Sequence, residues 1–187
     1  MEPVALQTPR VTLSIPVEAD IEDIHRACQD ADIQRYTTVP SPYLREHAEQ
    51  FVRWSKGRWD AGINLDWAIR QDGAVIGMIG LYRIGGGSAE IGYWMARCHR
   101  GKGLLHEAAA AVIDWGFDRE GVGAERIEWR AVVGNRGSAR VAQRLGFRYE
   151  GTLRRALSNS FGRDDAWIAG LLRDDDRTIQ SWPVFTD

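Results

Sequence analysis

Apolar and polar positions recur along the chain with two different periods, and these periods predict its helices and strands. Near the N-terminus, "RVTLSIP" alternates apolar and polar residues, which predicts an edge strand. In "EADIEDIHRACQ" and "LREHAEQFVRWSKGRW" the apolar residues recur every three or four positions, which predicts two amphipathic helices. The loop "TTVPSPY" separates them, so the first part of the chain is mainly helical.

The middle of the chain is predicted to be rich in strands. "LDWAIRQ" and "AVIGMIGLYRI" are joined by the turn "DG", a pattern typical of a tight hairpin. Apolar residues occupy both faces of the second strand, which predicts a central strand covered on both sides. "AEIGYWMA" predicts the next strand, Leu104–Phe117 a helix of about 21 Å, and "RIEWRAVV" another strand.

The last third predicts a short helix in "SARVAQRL", ended by Gly146, and then strands at "RYEGTLRRA" and "DDAWIAGLL". We expect the tail "SWPVF" to pack on the surface. A strand–helix–strand unit around Leu104–Phe117 requires a right-handed crossover and two parallel strands, flanked here by antiparallel hairpins. The pattern therefore predicts a single α/β domain over residues 1–187, with a mixed, mostly antiparallel sheet and helices on both faces.

Composition narrows the class of protein. The 187 residues are 44% hydrophobic and 27% charged, the mixture of an ordinary globular protein, and the net charge of -2 gives no reason to expect nucleic acid as a partner. Two separated cysteines and four histidines without a metal-ligand spacing predict no metal site. The N-terminus lacks a signal-peptide pattern and no segment approaches the length of a membrane span, so we expect a cytoplasmic protein that does not associate with membranes.

The segment "HRGKGLLHEAAAAVIDWGF", His99 to Phe117, places two glycines directly before the alanine-rich helix. Such a turn lets consecutive main-chain N–H groups converge on an anion beside the positive end of the helix dipole, with Arg100 and Lys102 as flanking charges. The alternative is a tight turn that only begins a helix. The spacing matches neither GxxxxGK[ST] nor GxGxxG, which argues against a P-loop ATPase and a dinucleotide-binding fold.

Three segments, taken together and in their order, resemble the GNAT N-acetyltransferase superfamily, in particular its RimJ/RimL-like branch. They are "AEIGYWMA", the glycine turn with its helix, and "NRGSARVAQRLGF". The resemblance extends from Arg10 to about Arg173. It implies that acetyl-CoA is a co-substrate, without a metal. It also implies that the strand "IGYWM" splays from "WRAVV", so that the pantetheine arm enters the wedge between two central parallel strands.

The resemblance also implies which residues bind acetyl-CoA. The family signature Q/R-x-x-G-x-G/A maps to Arg100, Gly103 and Leu105; Leu105 replaces the usual small residue, but its N–H remains available. For Tyr93 and Trp94 we expect main-chain contact, with the rings in ordinary core packing. The expected cofactor-binding residues are Tyr93, Trp94, Met95, Arg100, Gly101, Lys102, Gly103, Leu104, Leu105, Asn135 and Ser138.

The catalytic groups are less completely specified. Many relatives have a tyrosine four residues before "GF" as the acid for the thiolate, but Ala142 stands there. The RimJ/RimL-like pattern N-x-x-S offers Ser138 as a substitute acid and Asn135 as a holder of the pantetheine arm; alternatively, either residue caps the helix. Leu157 stands where some relatives have a glutamate. Glu90 begins the strand expected to line the cofactor site, and because carboxylates at comparable strand positions serve as bases elsewhere in the superfamily, the resemblance makes it the candidate base. For Glu150 we expect a structural ion pair.

The acceptor is expected to be a primary amine, either a peptide N-terminus or a small molecule. At pH 7 deprotonation costs about 1 kcal/mol for an α-amine and about 4.6 kcal/mol for a lysine side chain, so a weak base favours the α-amine. A non-catalytic acyl-CoA-binding sensor and a nucleotide-binding protein are the alternatives, and a homodimer remains open. We expect the acceptor pocket on the helical N-terminal half; four aromatic residues are candidates for its lining, although as a group they are expected in the core: Tyr36, Trp54, Trp59 and Trp67.

Overall fold

A computed structural model describes residues 1–185, which contribute to one eight-stranded mixed sheet. The helices are α1 (Ile21–Ala27), α2 (Ala31–Tyr36), α3 (Arg45–Ala61), α4 (Leu104–Phe117) and α5 (Arg136–Arg144). The strands are β1 (Leu6–Gln7), β2 (Thr12–Ser14), β3 (Asn64–Gln71), β4 (Ala74–Gly85), β5 (Ser88–Met95), β6 (Arg126–Val132), β7 (Arg148–Asn159) and β8 (Gly162–Leu172). Their order in the sheet is β1-β2-β3-β4-β5-β6-β8-β7.

The centre of the sheet contains the predicted parallel pair. β5 and β6 pair in parallel from Ser88 opposite Arg126 to Ile91 opposite Trp129, and the pairing ends there. Both strands continue, β5 to Met95 and β6 to Val132, without facing each other in the ladder. The splay predicted between these strands is confirmed, and it opens a wedge in the middle of an otherwise antiparallel sheet.

Helices cover both faces of the sheet, as the pattern predicts. One hydrophobic cluster lies under α4 and α5 and extends to the C-terminal end of α3, where Trp59 is fully buried. A second cluster joins α1, α2 and the first half of α3 to the opposite face of β3 and β4. The central strand β4 contributes to both clusters, which explains why its residues are apolar on both faces. Within residues 1–185, none of the helices has the combination of length and hydropathy that crossing a bilayer takes.

Three local features differ from the sequence-based expectation. α2 was not anticipated, because its six residues are too few to display a helical period. The predicted edge strand, β2, is not the edge of the sheet, because β1 pairs with its outer side. β1 was not predicted, because its two residues are too few to show an alternation of apolar and polar positions. The tail does not simply pack on the surface: Trp182 is 1% exposed and its Nε1 donates to the carbonyl of Phe147 at 3.2 Å.

Candidate active site

The glycine turn before α4 has the backbone conformation that only glycine adopts without strain. Gly101 has φ of 75° and Gly103, the N-cap of α4, has φ of 78°. A Cβ on Gly101 would meet no atom within 4 Å, so the conformation rather than crowding demands glycine here. Among the described residues no side chain caps α4, and the amides of its first turn therefore remain available to an anion.

Arg100 contributes to this turn by anchoring it. Its Nε donates to the carbonyl of Met95 at 2.9 Å, and its guanidinium donates to Asp30 at 3.0 Å and Asp32 at 3.1 Å. Burial opposes the ionisation of Asp30, but the hydrogen bonds from Arg100 and Arg97 lower its pKa below the ordinary value. The side chain of Arg100 thus ties the turn to β5 and α2. Lys102 lies outside the adjacent cavity; its carbonyl accepts from Arg10 at 2.9 Å.

A cavity of about 530 Å³, here called the cofactor cavity, lies between this turn and α5. Four residues of the glycine turn and the start of α4 line one side, together with His99 and His106: Gly101, Gly103, Leu104 and Leu105. The opposite side has three arginines that the sequence analysis did not single out: Arg136, Arg140 and Arg144. Their spacing of four residues places them on one face of α5. This spacing is visible in the sequence and could have indicated the cluster of arginines. The cavity therefore combines amide donors with cationic side chains.

A second cavity of about 520 Å³, here called the acceptor cavity, lies against α3 and the strands β3 to β6. It meets the cofactor cavity at residues that line both: Tyr36, Thr37, Tyr93, Trp94, Asn135 and Ser138. Of the four aromatic candidates for its lining, Tyr36 and the half-exposed Trp54 do line it, whereas Trp59 and Trp67 are core residues with no exposed surface. The two cavities meet where β5 and β6 separate.

Ser138 lies at this junction, in the first turn of α5. Asn135 caps the helix, because its Oδ1 accepts from the main-chain N–H of Ser138 at 3.2 Å. The hydroxyl of Ser138 accepts from Nε1 of Trp129 at 3.0 Å. Since an indole N–H is only a donor, the hydroxyl hydrogen of Ser138 remains for another acceptor. The phenol of Tyr93 donates to the main-chain carbonyl of Ser138 at 3.2 Å, and burial raises the pKa of that phenol.

Glu90 lines the acceptor cavity from β5, on the face of the sheet that carries α1 to α3. Its Oε2 accepts from Arg83 at 2.7 Å and lies 3.7 Å from Nε of Arg130. Burial raises the pKa of Glu90 above its ordinary value, although the two arginines act in the opposite direction. A carboxylate whose pKa is raised is, when ionised, a stronger base than an ordinary carboxylate, which suits it to accept a proton.

Three further positions do not supply an acid or a base to the junction of the cavities: Ala142, Leu157 and Glu150. Ala142 is fully buried and brings no hydroxyl to the junction. Leu157 lines the acceptor cavity with an apolar side chain. Glu150 forms an ion pair with Arg126 at 2.6 Å, which is the structural role expected for it.

Comparison with known proteins identifies a family. A family model described as an acetyltransferase (GNAT) domain matches residues 10–148. The chain is 39% identical over 130 residues to the "Putative ribosomal N-acetyltransferase YdaF" of Bacillus subtilis (strain 168), a match covering 68% of this chain and 62% of that protein. It is 32% identical over 108 residues to the "Probable N-acetyltransferase YjcK" of the same strain, covering 56% of this chain and 59% of that protein. Both matches thus span less than two thirds of these relatives.

Solved structures share the fold. The structure of Mycobacterium smegmatis RimJ in complex with CoA-disulfide superposes with a TM-score of 0.82 over 93% of this chain and 91% of that one, at 23% sequence identity. At this identity the likeness shows a shared fold and nothing further.

Proposed function

This chain belongs to the GNAT acetyltransferase family, and from that premise we propose that it transfers the acetyl group of acetyl-CoA to an amine, with a polypeptide N-terminal α-amine as the favoured acceptor. The observation that carries the proposal is the meeting of two cavities at the splay of β5 and β6. One has the features of a diphosphate site and the other has room for an acceptor. The relative named as a putative ribosomal N-acetyltransferase supports a ribosomal polypeptide as the acceptor.

The cofactor cavity fits acetyl-CoA by its donors. Main-chain amides are offered to a diphosphate by the uncapped N-terminus of α4 and by the turn before it, where Gly101 and Gly103 have left-handed backbone conformations. The arginines of α5 supply the charge that neutralises phosphate groups. The edge of β5 beyond Ile91 has no ladder partner in β6, so an extended arm can pair with it as an added strand would.

In the proposed mechanism acetyl-CoA supplies a thioester carbonyl that the neutral amine attacks, forming the C–N bond and releasing a thiolate. Glu90 accepts, directly or through water, the proton that the amine loses, and its raised pKa suits it for this role. Ser138 donates its hydroxyl hydrogen toward the departing sulfur, in the direction left open by the hydrogen bond from Trp129. Tyr93 and Asn135 position Ser138 through its main chain.

The acceptor preference is tested by thiol release. The purified protein is mixed with acetyl-CoA and one of two peptides of equal length, one with a free N-terminus and no lysine, the other with a blocked N-terminus and one lysine. We expect thiol release with the free N-terminus and none with the blocked peptide, because the α-amine is the easier group to deprotonate.

Release with only the blocked lysine peptide would contradict the α-amine assignment. Calorimetry with CoA supplies the control on binding. Binding of CoA without thiol release from any amine would identify an acyl-CoA-binding module instead of an enzyme, whereas an absence of CoA binding would reject the whole proposal.

A further inference from the structure

Asp66, on β3, is an acidic residue that the proposed transfer step does not use. It is 1% exposed, and it is one of three buried polar or charged residues among those described, with Asp20 and Ser55. Asp20 receives two hydrogen bonds from the guanidinium of Arg70, and Ser55 donates to a main-chain carbonyl. Asp66 differs from both, because within residues 1–185 its Oδ2 is buried without a hydrogen-bond partner. An ionisable group left in this state is unfavourable for folding alone.

The surroundings of Asp66 are arranged to hold this carboxylate in place. Its Oδ1 accepts from the phenol of Tyr82 at 2.9 Å. The ring of Tyr82 lies over Gly80 and Gly92, where an added Cβ would come within 2.6 Å and 2.9 Å of ring or hydroxyl atoms. These two glycines pair with each other, and Gly80 pairs with Asp66, so the three residues form one row across the sheet. The sheet is therefore clear of side chains where Tyr82 reaches Asp66.

The cations of the acceptor cavity do not complete the coordination of Oδ2. Arg83 and Arg130 are ion-paired with Glu90. Nη1 of Arg58 lies 3.6 Å from Oδ2, beyond hydrogen-bonding distance, and the guanidinium of Arg58 lies over the ring of Phe51. Burial raises the pKa of Asp66 even though Tyr82 and Arg58 act to lower it. One acceptor atom thus remains unsatisfied at the wall of the acceptor cavity, which Asp66, Tyr82 and Arg58 all line.

Asp66 lies away from the splay of β5 and β6, where the transfer step is proposed to occur. Asp66 and Gly92 are in the same row on β3 and β5, two strand spacings or about 10 Å apart. Gly92 is the first residue of β5 beyond its last pairing with β6. Measured along the sheet, the backbone of Asp66 therefore lies about 10 Å from the residue at which the splay begins.

We propose that Asp66 is a specificity-determining residue of the acceptor cavity, which binds a second, cationic group of the acceptor about 10 Å from the attacking amine. An alkylammonium or a guanidinium supplies what Oδ2 lacks, an N–H donor, and adds to the positive charge that Arg58 already places 3.6 Å away. This inference rests on the proposed function, because it takes the amine to enter at the splay. The side chain of a lysine or arginine next to an N-terminal residue, or the far end of a free diamine, provides this chemistry.

The test uses the CoA-bound protein and diamines of increasing chain length, each compared with the monoamine of the same length. 1,7-Diaminoheptane has nitrogens about 10 Å apart when extended, matching the two strand spacings. We expect it to bind about tenfold more tightly than heptylamine by calorimetry, the factor that one charge-assisted hydrogen bond supplies. The advantage should decline for 1,3-diaminopropane over propylamine, because the shorter chain does not reach Oδ2.

Two variants assign the preference to Asp66. Asp66→Asn keeps the shape and removes the charge, and it should reduce the diamine advantage to less than about twofold. Tyr82→Phe keeps the ring over Gly80 and Gly92 but frees Oδ1, and it should reduce the advantage partially. The matched control is Asp114→Asn. Asp114 is an exposed carboxylate on α4 that pairs with Arg177, and its replacement should preserve the diamine advantage. Thermal melting of each variant reports whether it is folded.

The outcomes separate this inference from the proposed function. If 1,7-diaminoheptane binds no more tightly than heptylamine, or if Asp66→Asn keeps the full advantage, Asp66 is a structural partner of Arg58 and the inference is wrong, whether or not thiol release is observed. If the advantage is present but no amine yields thiol release, Asp66 binds a cationic group as inferred, but the transfer proposal fails. Peptides with lysine or norleucine as second residue then distinguish the source: a preference for lysine indicates a polypeptide acceptor, and its absence indicates a free diamine.

Discussion

At the scale of single residues, hydrogen-bond direction and burial distinguish the candidate catalytic groups from ordinary polar residues. Ser138 is held on both sides: Asn135 caps its main-chain N–H, and the indole of Trp129 occupies one lone pair of its hydroxyl. The hydroxyl hydrogen is not used in either contact and remains available to another acceptor. Helix capping and a role toward the thiolate are compatible, because Asn135 performs the first and Ser138 is available for the second.

Glu90 provides a prediction about pH dependence. If its carboxylate accepts the amine proton, kcat/KM of the unmodified protein rises with pH through a pKa that burial has raised, because only the ionised form is a base. Glu90→Gln should lower kcat by about 100-fold or more and remove this limb of the profile. The limb that belongs to the amine itself should persist, which separates the two titrations.

The control for Glu90 is its neighbour Glu128. Glu128 belongs to the same run of ion pairs, through Arg126 and Arg130, but it lines neither cavity. Glu128→Gln should keep most of the rate and keep the limb, moved to lower pH because the charge of Glu128 contributes to the raised pKa of Glu90. Equal losses in the two variants would mean that the ion pairs, and not a base, account for the effect.

At the scale of elements, the turn before α4 joins backbone strain to ligand binding. A residue other than glycine in the left-handed region costs about 1–2 kcal/mol, and Gly101→Ala should lower the free energy of unfolding by that amount. Because the turn must also present its amides, the same substitution should weaken CoA binding by about tenfold or more, measured by calorimetry.

The chain offers a matched control for this strain. Gly62 ends α3 with φ of 65°, and an added Cβ there also meets no atom within 4 Å. Gly62→Ala should lower stability to the same extent and leave CoA affinity unchanged, since Gly62 lines neither cavity. Equal weakening of CoA binding by both variants would indicate that global stability, not the turn, controls binding.

At the scale of the whole molecule, the C-terminal tail supports the wall of the active site. The ring of Trp182 lies 5.5 Å from that of Trp129, which donates to Ser138, and 5.6 Å from that of Tyr149. A segment distant in sequence thus packs behind the junction of the two cavities.

Removing this packing should be costly. Trp182→Ala is expected to lower the free energy of unfolding by about 3–5 kcal/mol, because it leaves a large cavity next to Trp129 and removes the hydrogen bond to Phe147. Chemical denaturation measures the change. Ile179 lies in the same tail and is 64% exposed, so Ile179→Ala should change the free energy of unfolding by less than about 0.5 kcal/mol. Similar small values for both would show that the tail is not part of the core.

Much of the fold was readable from the sequence, because local signals and burial agreed there. The helix Leu104–Phe117 has the predicted limits, since its glycine turn and its apolar face both mark it. The Asp72–Gly73 turn joins β3 and β4 as expected, with positive φ at both residues. α2, β1 and the burial of Trp182 escaped prediction, because short elements have no period and a tail has no local signal for the surface it joins.

The candidate site divides in the same way. By itself the sequence determined what depends on neighbouring residues: the glycine turn and the helix that follows it, because each is decided within a few positions of the chain. It offered Asn135 and Ser138 as caps of the next helix, and the structure assigned the cap to Asn135. Only the tertiary structure decided that Arg100 turns to Asp30 and Asp32, that Arg136, Arg140 and Arg144 face the glycine turn, and that Oδ2 of Asp66 lacks a donor. These are relations between side chains far apart in sequence, and their energies depend on distance and desolvation, which exist only once the sheet has brought the strands together.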